Sequence, residues 1–410
     1  MKAHIPGRFN YSILAQICKL IPPQVVPKLA REYAVDRQWR RFDPWSHVVT
    51  WMEAHLSHAI GLNDVCDSME MNSGPLSAIR GAKPPCRNTL SHANKIRNAD
   101  MAEALYWFML EHLMKQDSGF AKGRGRRGYL RRFKRTIHVL DSTTIQLVAN
   151  CMDWAQHRRR KAAAKCHLRL DLQSFLPSYA IIDTAKHHDN TKARELCAAL
   201  KSGEIVIFDK AYLDFEHLRE LSEHGIFWVS RAKDTMSYEV VDTLHTTQDP
   251  RILSDELIRL HGTKTRQTYP GMVRRIVAIV EVNGKPMKLT FLSDNIEWSA
   301  WSIAELYRCR WDIEVFFKEI KQTLQLADFF GYTENAIRWQ IWTGLLVHLL
   351  LRYIAHLHSW GHSFIRLFTV LRAAMWKYWN LDDLMILYGT ARPPPRICGA
   401  PEQAYLTGFA

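Results

Sequence analysis

The chain has 410 residues, of which 47% are hydrophobic and 23% are charged, a globular balance that excludes wholesale disorder and a single small domain. Lysine and arginine number 55 against 41 aspartates and glutamates, which gives a formal net charge of +14 at pH 7. This excess of positive charge indicates a polyanionic partner, nucleic acid first and an anionic membrane surface second.

The cysteines and apolar segments indicate a cytoplasmic protein. The eight cysteines form no C-x-x-C pair and no zinc-finger spacing, so we expect free thiols in a reducing compartment. The first residues lack a signal-peptide cleavage pattern. The most apolar stretch, 341–357, is interrupted by His348 and Arg352, which favours a buried helix over a membrane span.

Region 1–117 is predicted to be helical. Asp43 and Pro44 are a cap residue and a first-turn proline, and the helical run that they start is predicted to stop at Gly61. A short helix over 88–97, with Ser91, Asn94 and Lys95 on its polar side, precedes a longer helix over 100–115. A helix-turn-helix that reads DNA and an ordinary helical bundle explain this pattern equally well.

Segment 118–135 is strongly basic. From Lys122 to Arg135 it carries eight cations, no acid and three glycines. A solvated linker is the simpler explanation, whereas contact with a phosphate backbone is favoured by the overall charge. The arginines predicted to make that contact are Arg126, Arg127, Arg131 and Arg132.

The periodicity then changes to that of a mixed α/β core. Segment 136–225 contains predicted strands over 136–145, 165–175, 178–184 and 204–209, with a helix over 192–200 before the last strand. Segment 226–299 is predicted to be a β-rich insertion with strands over 227–231, 238–244, 272–282 and 286–293, the last two joined at Asn283-Gly284. A helical segment over 300–330 and a mostly apolar helical region over 331–410 complete the chain.

Polar residues at the edge of the core could carry chemistry. If 302–326 is one helix, Tyr307, Arg310, Glu314 and Lys321 share an arc of roughly 60° beside its buried face. Glu319 falls on the solvated side of that helix, so its replacement is expected to leave activity intact.

Two aspartates end apolar strands. Considered alone, Asp141 and Asp209 are each best explained as a turn residue or a helix cap. Together with Glu314 they would repel one another unless a divalent cation such as Mg²⁺ or Mn²⁺ bound them. Asp183, followed by His187, His188 and Asp189, is a rival metal site, although a turn with surface histidines explains it better.

The spacing Tyr307-x2-Arg310-x3-Glu314-x6-Lys321 resembles the Y-R-E-K signature of DDE transposases from bacterial insertion sequences. The LDST around Asp141 and the DKAYLDF around Asp209 are similar to the first two catalytic blocks of that family. The long gap between Asp209 and Glu314 resembles the subgroup that has a β-rich insertion there. The likeness extends over about residues 5–355.

This resemblance implies a ribonuclease H-like catalytic core with an inserted β-rich domain and helical N-terminal and C-terminal regions. Asp141, Asp209 and Glu314 would hold two Mg²⁺ or Mn²⁺ ions. Tyr307, Arg310 and Lys321 would hold the terminal phosphates, and region 1–117 would bind the DNA ends. The implied activity is metal-dependent cleavage at insertion-sequence ends followed by strand transfer into target DNA, by a homodimer at the nucleoid.

Two other functions compete with this hypothesis. One is a domesticated DNA-binding protein without catalysis, which the intact acidic triad disfavours. The other is a ribonuclease H-like nuclease that cleaves without strand transfer. Trp298, just before the 300–330 segment, could stack on an extruded base, but a core tryptophan is the better explanation in a chain with fourteen of them.

Overall fold

A computed structural model describes residues 5–37, 40–123, 132–147, 156–157, 161–184, 189–244, 249–282, 284–324 and 331–389. These residues fall into two compact units. The helical unit comprises the described residues of 1–121, 145–163 and 317–400, and the sheet unit comprises those of 122–144 and 164–316.

Helices dominate both ends of the chain. The α-helices of the described ranges are α1 Ile13–Cys18, α2 Val25–Glu32, α3 Pro44–Ser57, α4 Leu62–Met71, α5 Ser73–Ser77, α6 Arg87–Ile96, α7 Asp100–Gln116, α8 Ser118–Lys122, α9 Asp189–Cys197, α10 Phe215–Glu223, α11 Thr263–Thr268, α12 Ala300–Arg308, α13 Trp311–Lys318, α14 Glu334–Leu357, α15 Phe364–Ala374 and α16 Leu381–Gly389. In the part of the chain that the structure describes, no helix is both long and apolar enough to cross a membrane.

The core of the helical unit forms around α14, which packs against α3, α6 and α7. Helix α3 begins as predicted, because Asp43 accepts a hydrogen bond from the backbone N–H of Ser46 at 2.6 Å and Pro44 occupies the first turn. Its predicted end at Gly61 is wrong. The helix stops at Ser57 because His58 adopts a left-handed conformation, with φ of 58°.

Helix α6 matches the predicted short helix to within one residue, but its polar face differs from the prediction. Asn94 is buried, and its Oδ1 lies 2.8 Å from Nε2 of His47 on α3. Ser91 and Lys95 are exposed, as are Asn88 and His92. Asn94 therefore helps to hold α6 against α3 and is not available to read DNA.

The strands of the described ranges form one sheet. They are β1 Ile137–Leu147, β2 Gln156–His157, β3 Lys161–Asp171, β4 Leu176–Thr184, β5 Ile205–Phe208, β6 Phe227–Arg231, β7 Tyr238–Thr243, β8 Ile252–Leu260, β9 Met272–Val282 and β10 Lys285–Ser293. Apart from β2 and the adjoining ends of β1 and β3, they belong to the sheet unit. The strand order is β4-β3-β1-β5-β6-β10-β9-β8-β7, and the short β2 pairs with the first residues of β3.

The parallel strands lie at the centre of this sheet. Strand β5 is parallel to both β1 and β6, and all four of its residues are buried, as expected for a strand that is covered on both faces. Strands β6 to β10 otherwise pair antiparallel, and Lys285 faces Val282 across the predicted hairpin. Strand β8 is missing from the sequence prediction.

The predicted insertion boundary at residue 226 separates two hydrogen-bonded neighbours, β5 and β6, in one sheet. The β-rich segment thus extends the core sheet through β6 and β10. Helix α12 contacts β5, β6, β9 and β10, so strands from both sides of that boundary support the helix that leads to the candidate site.

The predicted continuous helix over 302–326 is wrong. Helix α12 ends at Arg308, a turn follows at Cys309 and Arg310, and α13 ends in a π-helical turn over Glu319–Thr323. In the turn the backbone N–H groups of Cys309 and Arg310 bond the carbonyls three residues earlier, at 3.0 Å each. This tighter winding breaks the uniform 100° step on which the predicted arc depends.

Candidate active site

Strand pairing brings Asp141 and Asp209 to neighbouring positions. Leu140 of β1 is in register with Phe208 of β5, and each aspartate is the next residue. Asp209 ends β5 and caps the 3₁₀ turn Lys210–Tyr212, where its Oδ1 accepts the backbone N–H of Lys210 at 2.8 Å. A buried parallel pair of apolar strands thus positions two carboxylates side by side.

Arg310 connects Asp141 with Glu314. Its Nη1 donates to Oδ2 of Asp141 at 2.9 Å, and its Nη2 donates to Oε1 of Glu314 at 2.7 Å. The Arg310 side chain is only 13% exposed, whereas that of Glu314 is 43% exposed. The turn at Cys309 and Arg310 therefore places a buried guanidinium between carboxylates from β1 and α13.

Tyr307 supports the third carboxylate. Its hydroxyl donates to Oδ1 of Asp209 at 3.1 Å, and its ring packs against Phe291 of β10 with 5.0 Å between the ring centroids. The guanidinium carbon of Arg310 lies 5.9 Å from the centroid of the Tyr307 ring, so these two side chains, from the end of α12 and the turn after it, connect Asp141, Asp209 and Glu314.

The electrostatics of the site are dominated by burial. Burial raises the pKa of Asp141 to about 6; the charges of Asp209 and Glu314 add to this rise, and the charge of Arg310 opposes it. Burial also raises the pKa of the Tyr307 phenol, with the charge of Asp209 as the next cause. Although burial alone would lower the pKa of Arg310, the surrounding anionic groups raise it, so this guanidinium stays charged. Within the described part of the chain, Arg310 is the cation in direct contact with these carboxylates, and it contacts two of the three, so negative charges outnumber positive ones in this contact group.

The donor set fits a divalent cation of the hard class, because three carboxylates supply oxygen ligands only. As the described side chains stand, no group of three or more His, Cys, Asp or Glu residues is arranged to hold a metal ion. Two of the oxygens that such an ion would use accept hydrogen bonds from Arg310. A cation therefore fits the ligands once that guanidinium has moved away.

The other predicted site residues are spread over the chain. Lys321 lies in the π-helical turn Glu319–Thr323 of the helical unit. Arg132 is exposed, whereas Arg126, Arg127 and Arg131 lie outside the described residues. The rival site is not described either, since His187 and His188 fall in an undescribed range.

Trp298 packs between two other aromatic rings. Its ring centroid lies 5.1 Å from that of Phe133 and 5.1 Å from that of Phe227 of β6. Its carbonyl oxygen accepts a hydrogen bond from Arg274, which also pairs with Asp255. Trp298 is half-buried, and these contacts favour a packing role for its ring over one that stacks on a base.

Glu319 is not solvated, contrary to the sequence prediction. Its Oε2 accepts a hydrogen bond from Arg352 and lies 3.1 Å from Nε2 of the buried His348, both on α14. Burial alone would raise the pKa of Glu319, but the hydrogen bond with His348 and the charge of Arg352 outweigh it and lower the pKa. The missed signal was His348 and Arg352 themselves, since two basic groups in an apolar helix require an acidic partner.

Comparisons with known proteins identify the family. The description "Transposase DDE domain" matches residues 132–350, and a domain of unknown function, DUF4372, matches residues 10–79. The probable transposase for insertion sequence element IS5377 of Geobacillus stearothermophilus is 28% identical over 54% of this chain and 58% of its own length. A putative transposase of Sinorhizobium fredii is 28% identical over 63% of this chain and 70% of its own.

A third relative and one solved structure are more distant. The transposase for insertion sequence element IS4 of Escherichia coli is 26% identical over 45% of this chain and 42% of its own. A piggyBac transposase, solved as a synaptic complex with hairpin DNA, has a TM-score of 0.47 and 8% identity over 95% of this chain and 85% of that chain. With the DDE domain matched over more than half of its length, this chain belongs to the transposase family of bacterial insertion sequences.

Proposed function

We propose that this protein cleaves DNA at the ends of its insertion sequence and joins those ends to target DNA. The observation that carries the proposal is the joining of Asp141, Asp209 and Glu314 through Arg310 and Tyr307. Asp141 and Glu314 share one cation, Asp209 is held beside them by Tyr307, and such a gathering of carboxylates from distant parts of the sequence is costly unless it has a use.

The strand order supports a ribonuclease H-like core. Along β4-β3-β1-β5-β6, the first pair is antiparallel and the last two pairs are parallel. The first two acidic residues stand on the central pair, β1 and β5, and the third follows on a later helix. We propose that the chain is divided into a helical DNA-end-binding region, a basic linker, the first part of the catalytic core, a β-rich insertion, the helical segment with Glu314 and a C-terminal helical region, which span residues 1–117, 118–135, 136–225, 226–299, 300–330 and 331–410.

We assign two Mg²⁺ or Mn²⁺ ions to Asp141, Asp209 and Glu314. When bound, such ions activate the attacking hydroxyl and stabilise the leaving 3′ oxygen of a DNA strand. Tyr307 fixes the orientation of the Asp209 carboxylate through its hydroxyl, and in the metal-free protein Arg310 holds Asp141 and Glu314. Arg310 and Lys321 are suited to hold phosphates of the DNA end, Arg310 as a planar fork and Lys321 as a point charge.

Water, and then the freed 3′-OH, would be the nucleophiles. Tyr307 is a phenol at this site, but its hydroxyl donates a hydrogen bond to Asp209 and burial raises its pKa, so it keeps its proton. A phenol held in this way is a poor covalent nucleophile. The site therefore favours direct transfer of phosphoryl groups between hydroxyls over a protein–DNA covalent intermediate.

DNA is the proposed partner, bound by a homodimer at the nucleoid. Helix α6 offers an exposed polar face that includes Asn88, Ser91, His92 and Lys95. We propose that this face contributes sequence preference and that the basic segment, with Arg126, Arg127, Arg131 and Arg132, contacts the phosphate backbone. Cleavage and joining of two ends require both ends to be brought together, which favours two copies on DNA.

The test uses duplexes that carry the terminal inverted repeats of the element, a target plasmid and Mg²⁺. The wild-type protein should cut at the repeat ends and join them to the plasmid. Asp209→Asn should abolish both products while binding to the DNA ends persists, because the charge of Asp209 is needed to bind metal and not to bind DNA. Cutting without joining would support the nuclease alternative, and binding without cutting would support the non-catalytic one; either result contradicts the proposal.

A further inference from the structure

We propose that Arg310 excludes divalent cations from the acidic site until DNA binds. In the DNA-free protein its guanidinium donates hydrogen bonds to oxygens of Asp141 and Glu314 that would ligate the metal. When DNA binds, a phosphate accepts hydrogen bonds from Arg310 instead, and the carboxylates are released. This inference rests on the proposed function, because it assumes that these carboxylates hold the metal. It adds an order of events in which DNA binding precedes tight metal binding.

The geometry makes Arg310 a competitor for the metal ligands. Its two terminal nitrogens contact two different carboxylates, at 2.9 Å and 2.7 Å. The other oxygen of Asp141, Oδ1, accepts the backbone N–H of Ser142 at 2.8 Å. Each oxygen of Asp141 keeps a further lone pair, but a cation that used it would lie next to the positive charge of Arg310, so the Arg310 contact opposes metal binding at this carboxylate.

The two hydrogen bonds of Arg310 stabilise the arrangement in which its guanidinium blocks the metal ligands. Charge-assisted hydrogen bonds are about twice as strong as neutral ones, and Arg310 makes two of them in a largely buried setting. A ligand that binds only the open state of a site has its apparent affinity reduced by the population of that state. Metal binding to the DNA-free protein should therefore be weaker than the three carboxylates alone would allow.

The Nε atom of Arg310 indicates that this side chain has a second position, bound to a phosphate. Its Nε is buried and has no hydrogen-bond partner among the described residues. A buried N–H without a partner costs free energy, so the bridging arrangement leaves this guanidinium incompletely satisfied. A phosphate accepts parallel hydrogen bonds from the arginine fork and can engage donors that the two carboxylates do not.

Arg308 provides a matched control. It lies two residues earlier at the end of α12, its side chain is 54% exposed, and it pairs with Glu305. Its replacement by glutamine removes the same charge from the same segment but leaves the Arg310 contacts in place. Any general effect of lowering the net charge on metal binding will therefore appear in Arg308→Gln as well.

The experiment measures Mn²⁺ binding to the full-length, DNA-free protein by the electron paramagnetic resonance signal of free Mn²⁺. We expect Arg310→Gln to bind Mn²⁺ about tenfold more tightly than the wild type, and Arg308→Gln to match the wild type. Addition of terminal-repeat DNA should tighten Mn²⁺ binding to the wild type and have little further effect on Arg310→Gln. Thermal melting in a chelator verifies that each variant is folded. Arg310→Lys keeps the charge without the planar fork, and its Mn²⁺ affinity should lie between those of the wild type and Arg310→Gln.

Equal Mn²⁺ affinity in Arg310→Gln and the wild type overturns the inference, and so does an equal gain in Arg308→Gln. Asp141→Asn distinguishes this failure from failure of the proposed function. If Asp141→Asn loses Mn²⁺ while Arg310→Gln matches the wild type, the metal site stands and only the proposed exclusion of cations by Arg310 is wrong. If Asp141→Asn keeps full binding both with and without DNA, the metal site itself is wrong.

Discussion

Glu314 and Glu319 lie five residues apart in one segment, and the structure gives them opposite surroundings. Glu314 is 43% exposed and shares Arg310 with Asp141, beside Asp209. Glu319 is 14% exposed and has two basic partners, His348 and Arg352, to itself. One glutamate belongs to a group with surplus negative charge and the other to a group whose charge is balanced.

The difference indicates which carboxylate can take part in chemistry. A balanced, buried ion pair is a structural element, and removal of one partner leaves the other uncompensated. A carboxylate that shares its cation with another acid, close to the charge of a third, retains affinity for a further cation. Charge balance, rather than position on a helical face, therefore separates the candidate metal ligand from the structural glutamate.

The largest expected effect concerns activity and Glu314. Glu314→Gln should lower cleavage of terminal-repeat DNA by about a thousandfold or more, because the charge needed for metal is lost. Its unfolding midpoint in urea should stay near that of the wild type. Cleavage at a wild-type rate by Glu314→Gln would show that the surplus charge has no catalytic use.

The opposite pattern is expected for Glu319. Glu319→Ala should lower the free energy of unfolding by about 3–5 kcal/mol, because Arg352 and His348 lose their acidic partner in a buried setting. Urea unfolding measures this loss. Lys318→Gln, at the adjacent exposed position, is the control and should stay within about 0.5 kcal/mol of the wild type. A stable Glu319→Ala would mean that the ion pair contributes little.

A third glutamate, Glu53 on α3, sharpens the comparison because no cation contacts it among the described residues. Burial raises its pKa to about 7, although Ser68 donates a hydrogen bond to Oε1 at 2.5 Å; Oε2 is buried without a partner among the described residues. A pKa above the unfolded value means that stability present at low pH is lost as pH rises from about 4.5 to about 7.

Glu53→Gln removes this titration. At pH 8 the variant should be more stable than the wild type by roughly 2–3 kcal/mol, and the difference should vanish near pH 4. Urea unfolding of both proteins over that pH range measures the effect. A difference that does not change with pH would show that ionisation of Glu53 has no cost in the folded protein.

The smallest effect is expected at Tyr307. Tyr307→Phe removes one hydrogen bond to Asp209 but keeps the ring against Phe291. We expect cleavage to fall by about tenfold and the free energy of unfolding to change by about 1 kcal/mol or less. A loss of cleavage as large as that of Glu314→Gln would mean that the phenol takes part in the reaction itself.

Local patterns were sufficient for part of this account. The apolar run before Asp209 correctly predicted the end of β5, whereas β1 continues past Asp141 to Leu147, so the predicted strand end at Asp141 is wrong; the parallel pairing of β1 with β5 still places the two aspartates side by side. The cap at Asp43 and Pro44 correctly predicted where α3 begins. In each case the deciding interactions lie within a few residues or within one regular element.

Long-range contacts decided the rest. The break at Cys309 and Arg310 accompanies a contact between Arg310 and Asp141, 169 residues earlier, which helical periodicity does not include. The burial of Glu319 depends on His348, 29 residues later. The early end of α3 likewise coincides with a hydrogen bond between His58 and the carbonyl of Thr323, far along the chain.

Cleavage of the protein backbone by bound iron tests the central claim most directly. Fe²⁺ replaces Mg²⁺ in the complex with terminal-repeat DNA, and peroxide with ascorbate then generates hydroxyl radicals at the metal. Mass spectrometry should find cuts beside Asp141, Asp209 and Glu314, and these cuts should disappear in Asp209→Asn. Cuts beside Glu319 or around 183–189 with none at the three acids, or a pattern unchanged in Asp209→Asn, would contradict the assignment.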